Sequence, residues 1–338
     1  MTLTYNHSQL LHPTAWAQIL EDVSRSISWN AVTMSYARQL LYVVGLQAFA
    51  VLVYCSPPTA ALTPVLLSPT FLAIWRYRHL PREEAGSAEV ATWTYLETSV
   101  LGPLIAAVLQ WSLITVLFRT FFGAQASNYM MELQRATLEN VPQEVIQARQ
   151  QMAWTPRYFI VLAIFSYVGA AVVEEAIKYF ALRLAIRHAR PRHEREYLIY
   201  AAFAGLGYGT IENVLVTYSS VNEGESGGMV ALTLLERIIF ASFGHTIMAL
   251  LMGLQSIRRD SRGEELALWR VLARAVVYHG TWDFILLSIS AWSGNVGWIH
   301  PTDIVSIVFG VSSVIALQAT AALDVFKQLK ELQLRICK

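Results

Sequence analysis

The stretch VVEEAIKYF, residues 172–180, places two glutamates and a lysine in an apolar segment that begins near Tyr158. A charged side chain at the centre of a membrane-spanning helix costs about 2.5 kcal/mol or more, so such residues are rare there and commonly functional. The meaning of these three charges therefore depends first on whether the segment crosses a membrane.

Composition and hydropathy both indicate a membrane protein. Of the 338 residues, 55% are hydrophobic and 14% are charged, whereas a soluble chain has about 25% charged residues. The mean hydropathy is +0.42, and a helix needs about 20 apolar residues to span a bilayer. We predict an all-α polytopic membrane protein with about eight transmembrane helices, at 39–55, 60–75, 97–122, 157–186, 197–218, 230–257, 266–292 and 303–326.

Two features of the amino-terminal part qualify this prediction. The second candidate helix is short and contains Pro64 and Pro69, so a re-entrant segment is an alternative for it. Residues 1–34 are mixed and interrupted by polar residues, which is not the pattern of a signal peptide.

The loops predict the orientation. Fourteen lysines and arginines fall on one side, in 76–84, 187–195, 258–265 and 327–338, and two fall on the other, Arg135 and Arg149. The positive-inside rule then places both termini in the cytoplasm. The chain divides into a cytoplasmic tail (1–38), amino-terminal helices (39–122), an extracytoplasmic loop (123–156), a core (157–292) and a last helix with a cytoplasmic tail (293–338).

Several kinds of protein and site are excluded. Cys55 and Cys337 are expected on opposite sides of the membrane, which excludes a disulfide framework and a cysteine-rich zinc site. The sequon at Asn6 is expected in the cytoplasm. The chain has no nucleic-acid-binding pattern.

The charged and polar residues inside the predicted helices cluster at similar depth on helices four to seven. All lie within about two turns of a helix midpoint. Accidental substitutions would not share a depth, so we predict one active site in this bundle, formed by Glu174, Glu175, Lys178, Glu212, Asn213, His245, His279 and Asp283.

Helical spacing suggests how the fourth helix works. Glu174 and Lys178 form an i,i+4 pair, and Glu175 is also within reach of Lys178 at i,i+3. Lys178 is the only lysine in the first 326 residues, so we expect it to be there for its charge. It can keep one glutamate ionised and leave the other free to act.

The other three helices contain residues that allow close packing or that can orient a histidine. Gly205 and Gly209 lie on the same face as Glu212, and small residues at this spacing let helices approach closely. Gly244 precedes His245 in the sixth helix. In the seventh, Asp283 follows His279 by one turn and can fix the tautomer of the imidazole.

These residues resemble the four motifs of the PrsW family of intramembrane proteases. The motifs EExxK, FxxxEN, GH and a histidine shortly before WD are matched by Glu174–Lys178, by Tyr208 to Asn213, by His245 and by His279 to Asp283. The resemblance covers about residues 155–292 and departs from the family at Tyr208, where phenylalanine is usual. The set is distantly similar to type II CAAX-processing endopeptidases, but Lys178 and Glu212 depart from their pattern.

The resemblance implies hydrolysis of a peptide bond in a membrane protein substrate, and two mechanisms fit equally. In one, His245, His279 and one glutamate hold zinc, and the remaining glutamate is the general base. In the other no metal takes part. Glu175 and a histidine activate water, while the second histidine and Asn213 stabilise the oxyanion.

Two functions of other classes remain open at this point. A non-proteolytic membrane enzyme would use the same groups for acid–base chemistry on a lipid or terpenoid, since a fold does not set its reaction. A proton-coupled transporter would use them as a relay, although the inverted repeat typical of transporters is not evident.

Overall fold

The computed structural model describes residues 31–81, 84–135, 138, 141–301 and 303–333. These residues form helices and connecting turns, without a strand. We number the helices α1 (Ala31–Cys55), α2 (Pro57–Arg78), α3 (Ala88–Leu133), α4 (Gln143–Ala153), α5 (Pro156–Ala189), α6 (Glu194–Asn222), α7 (Gly227–Ser261), α8 (Leu268–Trp292) and α9 (Ile304–Glu331). Asn6 and Cys337 lie outside the described residues, as does most of the predicted tail at 1–38.

Within this described part, six helices are long and apolar enough to cross a membrane: α2, α3, α5, α6, α7 and α9. They match six of the eight predicted segments, and the chain is an all-α polytopic membrane protein. The first predicted segment corresponds to a shorter apolar stretch, Val43–Cys55, in α1. The seventh corresponds to α8, which is 25 residues long but less apolar, because it carries His279, Asp283 and two arginines.

Prolines and glycines explain the irregularities of the amino-terminal helices. α2 consists of two pieces, Pro57–Leu66 and Ser68–Arg78, with Pro64 inside the first piece. α3 contains a π-helical turn at Glu97–Leu101 and bends at Gly123, whose φ of +55° suits a residue without a side chain. The predicted loop at 123–156 therefore contains the end of α3 and the short helix α4.

Helix α6 lies at the centre of the bundle. A Cβ atom added to Gly205 would lie 2.5 Å from the carbonyl oxygen of His245 in α7, and one added to Gly207 would lie 2.3 Å from that of Tyr95 in α3. Both distances are too short for a side chain, so α6 approaches both neighbours closely. The predicted packing face at Gly205 and Gly209 is confirmed.

The two ends of the bundle are held by different ion pairs. At the end rich in basic residues, Arg262 binds Glu194 at 2.8 Å and Arg258 binds Glu331 at 2.6 Å. At the opposite end, Arg149 of α4 is fully buried and binds Glu132 at 2.6 Å. The charged side chains near the middle of α5 to α8 belong to neither set.

Candidate active site

Two π-helical segments lie next to the predicted site residues. One, Phe165–Val172, comes just before Glu174 in α5. The other, Arg237–Ala241, comes one turn before His245 in α7. A π-helical segment changes the direction of the side chains that follow it and is frequent at functional sites. Both segments therefore help to set which side chains point into the bundle.

Lys178 and Glu175 of α5 contact one histidine each, in α7 and α8. The Nζ of Lys178 lies 2.6 Å from Oε1 of Glu175 and donates across 2.9 Å to Nδ1 of His245. The same Oε1 of Glu175 accepts a hydrogen bond of 2.7 Å from Nδ1 of His279. Lys178 and Glu175 have no exposed surface. This pair therefore holds both imidazoles in place, one through each partner.

Glu174 has a different environment from its neighbour. Its Oε1 accepts a hydrogen bond of 3.0 Å from Gln110 of α3. Its Oε2 is buried without a hydrogen-bond partner and lies 3.6 Å from Nε2 of His279. One ligand atom from each of Glu174, His245 and His279 falls within 4.8 Å of the others. This is the donor set of a Glu/His/His metal site.

Glu212 of α6 bridges His245 and Arg237. Its Oε2 accepts a hydrogen bond from Nε2 of His245, and its Oε1 lies 2.7 Å from Nη2 of Arg237. About a third of the Glu212 side chain is exposed, whereas Glu175 has none. Glu212 is therefore the glutamate of the cluster that water reaches most easily.

The charges in this cluster do not balance. Lys178 and Arg237 are positive, and four carboxylates surround them, those of Glu174, Glu175, Glu212 and Asp283. With both histidines neutral, the formal charge is −2. Burying net charge is costly unless it is compensated. One divalent cation would neutralise this excess, so the donor set and the charge both fit a metal ion.

A cavity of about 320 Å³ reaches this cluster. Its polar end contains Glu212, Arg237, His245, His279 and Asp283. The rest of its wall comes mainly from apolar side chains of α7, α8 and α9, and it extends to the loop at 298–301. The cavity thus runs from mid-bundle toward the end that is poor in basic residues.

The structure brings all eight predicted site residues into one connected cluster and shows which partners they have. Lys178 pairs with Glu175, and Glu174 is the free carboxylate. Neither Glu174 nor Glu175 is among the residues that line the cavity. Oε1 of Glu175 is engaged by Lys178 and His279, and its Oε2 has no hydrogen-bond partner, so its role as base stays a prediction. Nδ1 of His279 is held by Glu175, whereas Asp283 lies 3.4 Å from Nε2.

The position of Asn213 also differs from its predicted role as an oxyanion donor. Its Nδ2 donates to Ser242 Oγ at 2.8 Å and to the Arg237 carbonyl at 3.1 Å, and its Oδ1 accepts from Nε of Arg237 at 2.8 Å. Asn213 is fully buried. All these contacts join α6 to α7 and do not face the cavity.

Sequence reasoning missed two residues of the cluster, Arg237 and Gln110. Arg237 had a visible signal, since Glu236 and Arg237 are charged and lie inside the sixth predicted helix. Gln110 is a single amide in a long apolar helix, and its contact with Glu174 depends on how α3 packs against α5. The spacing of residues along one helix does not contain that information.

Comparison with known proteins shows to which family the chain belongs. The sequence pattern of the family described as PrsW family intramembrane metalloprotease matches residues 90–317. The chain belongs to the PrsW family. The match begins earlier than the motifs do and includes α3, which carries Gln110. No solved structure is significantly similar to this chain.

Three PrsW proteases are similar to parts of the chain. Protease PrsW of Bacillus subtilis (strain 168) is 27% identical over 131 residues, covering 38% of this chain and 56% of the relative. That of Clostridioides difficile (strain 630) is 30% identical over 135 residues, covering 38% and 54%. That of Geobacillus kaustophilus (strain HTA426) is 24% identical over 135 residues, covering 39% and 56%. The chain thus spans about half the length of these relatives.

The family description agrees with the donor set. The PrsW family is described as a metalloprotease family, and Glu174, His245 and His279 form the group that could hold a metal ion among the described residues. All three relatives are named as proteases. Nothing in the comparisons favours a transporter or an enzyme acting on lipids.

Proposed function

We propose that this chain hydrolyses a peptide bond of a membrane protein within the bilayer. The observation that carries the proposal is the position of the Glu/His/His group. Its two histidines line the mid-bundle end of a cavity with mainly apolar walls, and Glu174 lies beside them. An apolar substrate segment fits such walls, and the polar atoms needed for hydrolysis are grouped at one point.

Zinc is the metal that we propose for this site. Two histidines and one glutamate with an open fourth position are a common catalytic zinc shell. When bound, zinc would supply Lewis-acid polarisation of the scissile carbonyl and activation of water. Glu174, with its unpartnered Oε2, and His279, whose Nε2 is turned away from Glu175, are the ligands most easily available.

The remaining residues act by orienting groups and carrying protons. Glu175 holds Nδ1 of His279, and Lys178 holds Nδ1 of His245, so both imidazoles present Nε2 to the same region. Glu212 is the ionisable carboxylate that borders both His245 and the cavity. It takes a proton from the attacking water at a carboxylate oxygen and returns it to the leaving nitrogen.

A metal-free mechanism is the second candidate, and one observation favours it. Both nitrogens of His245 are already hydrogen-bonded, Nδ1 to Lys178 and Nε2 to Glu212. A metal would have to replace the second bond. In this mechanism Glu174 activates water through its unpartnered Oε2. His279, protonated at both ring nitrogens, then donates a hydrogen bond from Nε2 to the oxyanion.

The substrate is expected to enter from the non-cytoplasmic side. The positive-inside rule places the basic end in the cytoplasm, with both termini there, and the cavity extends toward the other end. We place the catalytic core in 157–292 together with α3. The expected substrate is a single-span membrane protein that is cut in its non-cytoplasmic half.

Comparison of membranes from cells with wild type and with Glu174→Gln tests the activity. A single-span protein should be shortened only in the presence of wild type, and the new end should map to the non-cytoplasmic half of its helix. Arg274→Met is a control, because Arg274 pairs with Asp324 at 2.6 Å away from the site. A wild type that shortens no protein absent from the Glu174→Gln membranes would contradict the proposal.

Elemental analysis of purified protein separates the two mechanisms, provided that the affinity tag has no histidines. The zinc mechanism predicts about one zinc per chain in wild type and its loss in His279→Ala. It also predicts that a strong chelator stops cleavage and that zinc restores it. Full cleavage by metal-free wild type would instead establish the second mechanism.

A further inference from the structure

Arg237 is a partly buried cation that neither mechanism uses directly. It lies on α7 eight residues before His245, about 12 Å along the helix axis. Its side chain is 18% exposed and forms part of the cavity wall. Its guanidinium contacts Glu212 and Asn213, which are consecutive residues of α6.

The contacts fix the guanidinium from two directions. Nη2 lies 2.7 Å from Oε1 of Glu212, and Nε donates across 2.8 Å to Oδ1 of Asn213. Arginine presents donors in a rigid planar fork, so the hydrogen bond from Nε and the ion pair at Nη2, which is not itself a hydrogen bond, together define its orientation. A single ion pair would leave the guanidinium free to rotate about that contact.

The backbone of Arg237 is fixed by the same asparagine. Arg237 begins the π-helical segment, and its carbonyl oxygen accepts hydrogen bonds from Asn213 Nδ2 at 3.1 Å and from Ser242 Oγ at 3.1 Å. Asn213 therefore binds both the side chain and the main chain of the same arginine. Both contacts join α6 to α7 at this residue.

Glu212 is in turn held between Arg237 and His245. Its oxygens are divided, with Oε1 toward Arg237 and Oε2 toward His245. Without Arg237 the carboxylate would be free to rotate toward the group formed by Glu174, His245 and His279. It would then lose its position at the cavity wall, where a proton can be exchanged with water and substrate.

We propose that Arg237 is a positioning residue that holds the Glu212 carboxylate at the cavity wall for proton transfer during peptide hydrolysis. The inference rests on the proposed proteolytic function. Asn213 supports it by orienting the guanidinium. The pair Asn213–Arg237 thus acts on the reaction through Glu212 and has no direct contact with the scissile bond.

The test compares Arg237→Met and Arg237→Lys with wild type, using the membrane protein that wild type cleaves and Glu174→Gln does not. Arg237→Met should lower kcat at least 100-fold and leave KM within about 3-fold, because substrate contacts remain. Arg237→Lys should recover to within about 10-fold of wild type, since lysine can pair with Glu212 but cannot also reach Asn213. Arg274→Met should stay within about 2-fold of wild type.

A double variant distinguishes positioning from a general loss of structure. If Arg237 acts through Glu212, then Arg237→Met combined with Glu212→Gln should be no slower than Glu212→Gln alone. The zinc content per chain and the unfolding temperature of Arg237→Met should match those of wild type. A purely structural role would lower the folded fraction and the zinc content together with turnover.

The failures of the two proposals can be told apart. If wild type cleaves its substrate and Arg237→Met cleaves within 3-fold of it, only the role of Arg237 is refuted. An additive loss in the double variant, or loss of activity in step with unfolding, also refutes that role alone. If wild type cleaves nothing that Glu174→Gln spares, the proteolytic function itself has failed.

Discussion

Two groups of charged residues in this molecule differ in how their carboxylate oxygens are partnered. The outer cluster contains Glu132, Arg135 and Arg149, and it ties α3 and α4 to the loop after α8. Both oxygens of Glu132 are occupied, by Arg135 at 2.9 and 3.2 Å and by Arg149 at 2.6 Å. Arg149 also donates to the Val296 carbonyl at 2.6 Å. The pKa of Arg149 is lowered, because the effect of burial exceeds that of the bonds to Glu132, which raise it.

The central cluster at Glu174, Glu175, Glu212, His245 and His279 is built differently. With Lys178, Arg237 and Asp283 included and both histidines neutral, its formal charge is −2, and the Oε2 atoms of Glu174 and Glu175 are buried without hydrogen-bond partners. It also borders the cavity described above, whose lining does not include the outer cluster. Burial of charge is therefore a poor sign of function by itself. Unpartnered carboxylate oxygens beside a cavity are a better one.

The largest expected effect is from Glu174→Gln in the central cluster. Glutamine has nearly the same shape and can still accept from Gln110, but it cannot act as a carboxylate ligand or base. We expect cleavage to fall by about 1,000-fold or more, in line with loss of an essential group, with little change in unfolding temperature. Substrate cleavage and thermal unfolding in detergent measure the two effects.

Glu175→Gln is the matched comparison at the adjacent position. It leaves Lys178 buried without its ionised partner, and breaking a buried pair in this way costs about 3–5 kcal/mol. We therefore expect Glu175→Gln to unfold at a lower temperature, whereas Glu174→Gln does not. Equal stability of the two variants would contradict the distinction between the adjacent glutamates.

The two adjacent glutamates also show which contacts could be predicted from the sequence. The spacing of Glu174, Glu175 and Lys178 predicted that Lys178 would pair with one of the two glutamates, and its ion pair is with Glu175. The spacing did not predict which one, because i,i+3 and i,i+4 partners are both within reach on a helix. The choice depends on His279 of α8, which approaches Glu175 from another helix.

The helices themselves were easier to predict than their contacts. Six of the eight expected segments are long apolar helices, because a bilayer imposes length and hydropathy on each segment separately. The ion pair between Arg237 and Glu212 depends instead on the packing of α7 against α6. A hydropathy scan registers Arg237 only as one charged residue in an apolar segment. Its partner Glu212 was nevertheless already a predicted site residue.

The next prediction tests whether the outer cluster affects stability without affecting cleavage at the central cluster. Arg149→Met removes the charge and the two backbone contacts of a fully buried side chain, so we expect a loss of about 3 kcal/mol of unfolding free energy. Arg135→Met is the control, because it touches the same carboxylate but is 32% exposed and should cost under about 1 kcal/mol. Cleavage per folded molecule should be unchanged in both. A turnover defect in folded Arg149→Met would show that the clusters are coupled.

The smallest expected effect is from Gly209→Ala, which leaves every charge in place and changes only a distance. The added methyl group would lie 3.0 Å from Cδ2 of His245, which is tighter than ordinary van der Waals contact. The imidazole must then move by a few tenths of an ångström, and its bonds to Lys178 and Glu212 lengthen. Misplacement of a catalytic group by about 1 Å can cost about 100-fold, so we expect a loss near 10-fold.

Gly227→Ala is the control for that variant, since nothing lies within 4 Å of a Cβ atom added to Gly227. It should leave cleavage unchanged. Because alanine favours helix more than glycine by about 1 kcal/mol, both variants should unfold at or above the wild-type temperature unless the contact with His245 is rigid. A Gly209→Ala protein that is stable but about 10-fold slower would show that the central cluster depends on the exact placement of His245. Unchanged turnover would mean that this imidazole tolerates movement, and would weaken its assignment as a metal ligand.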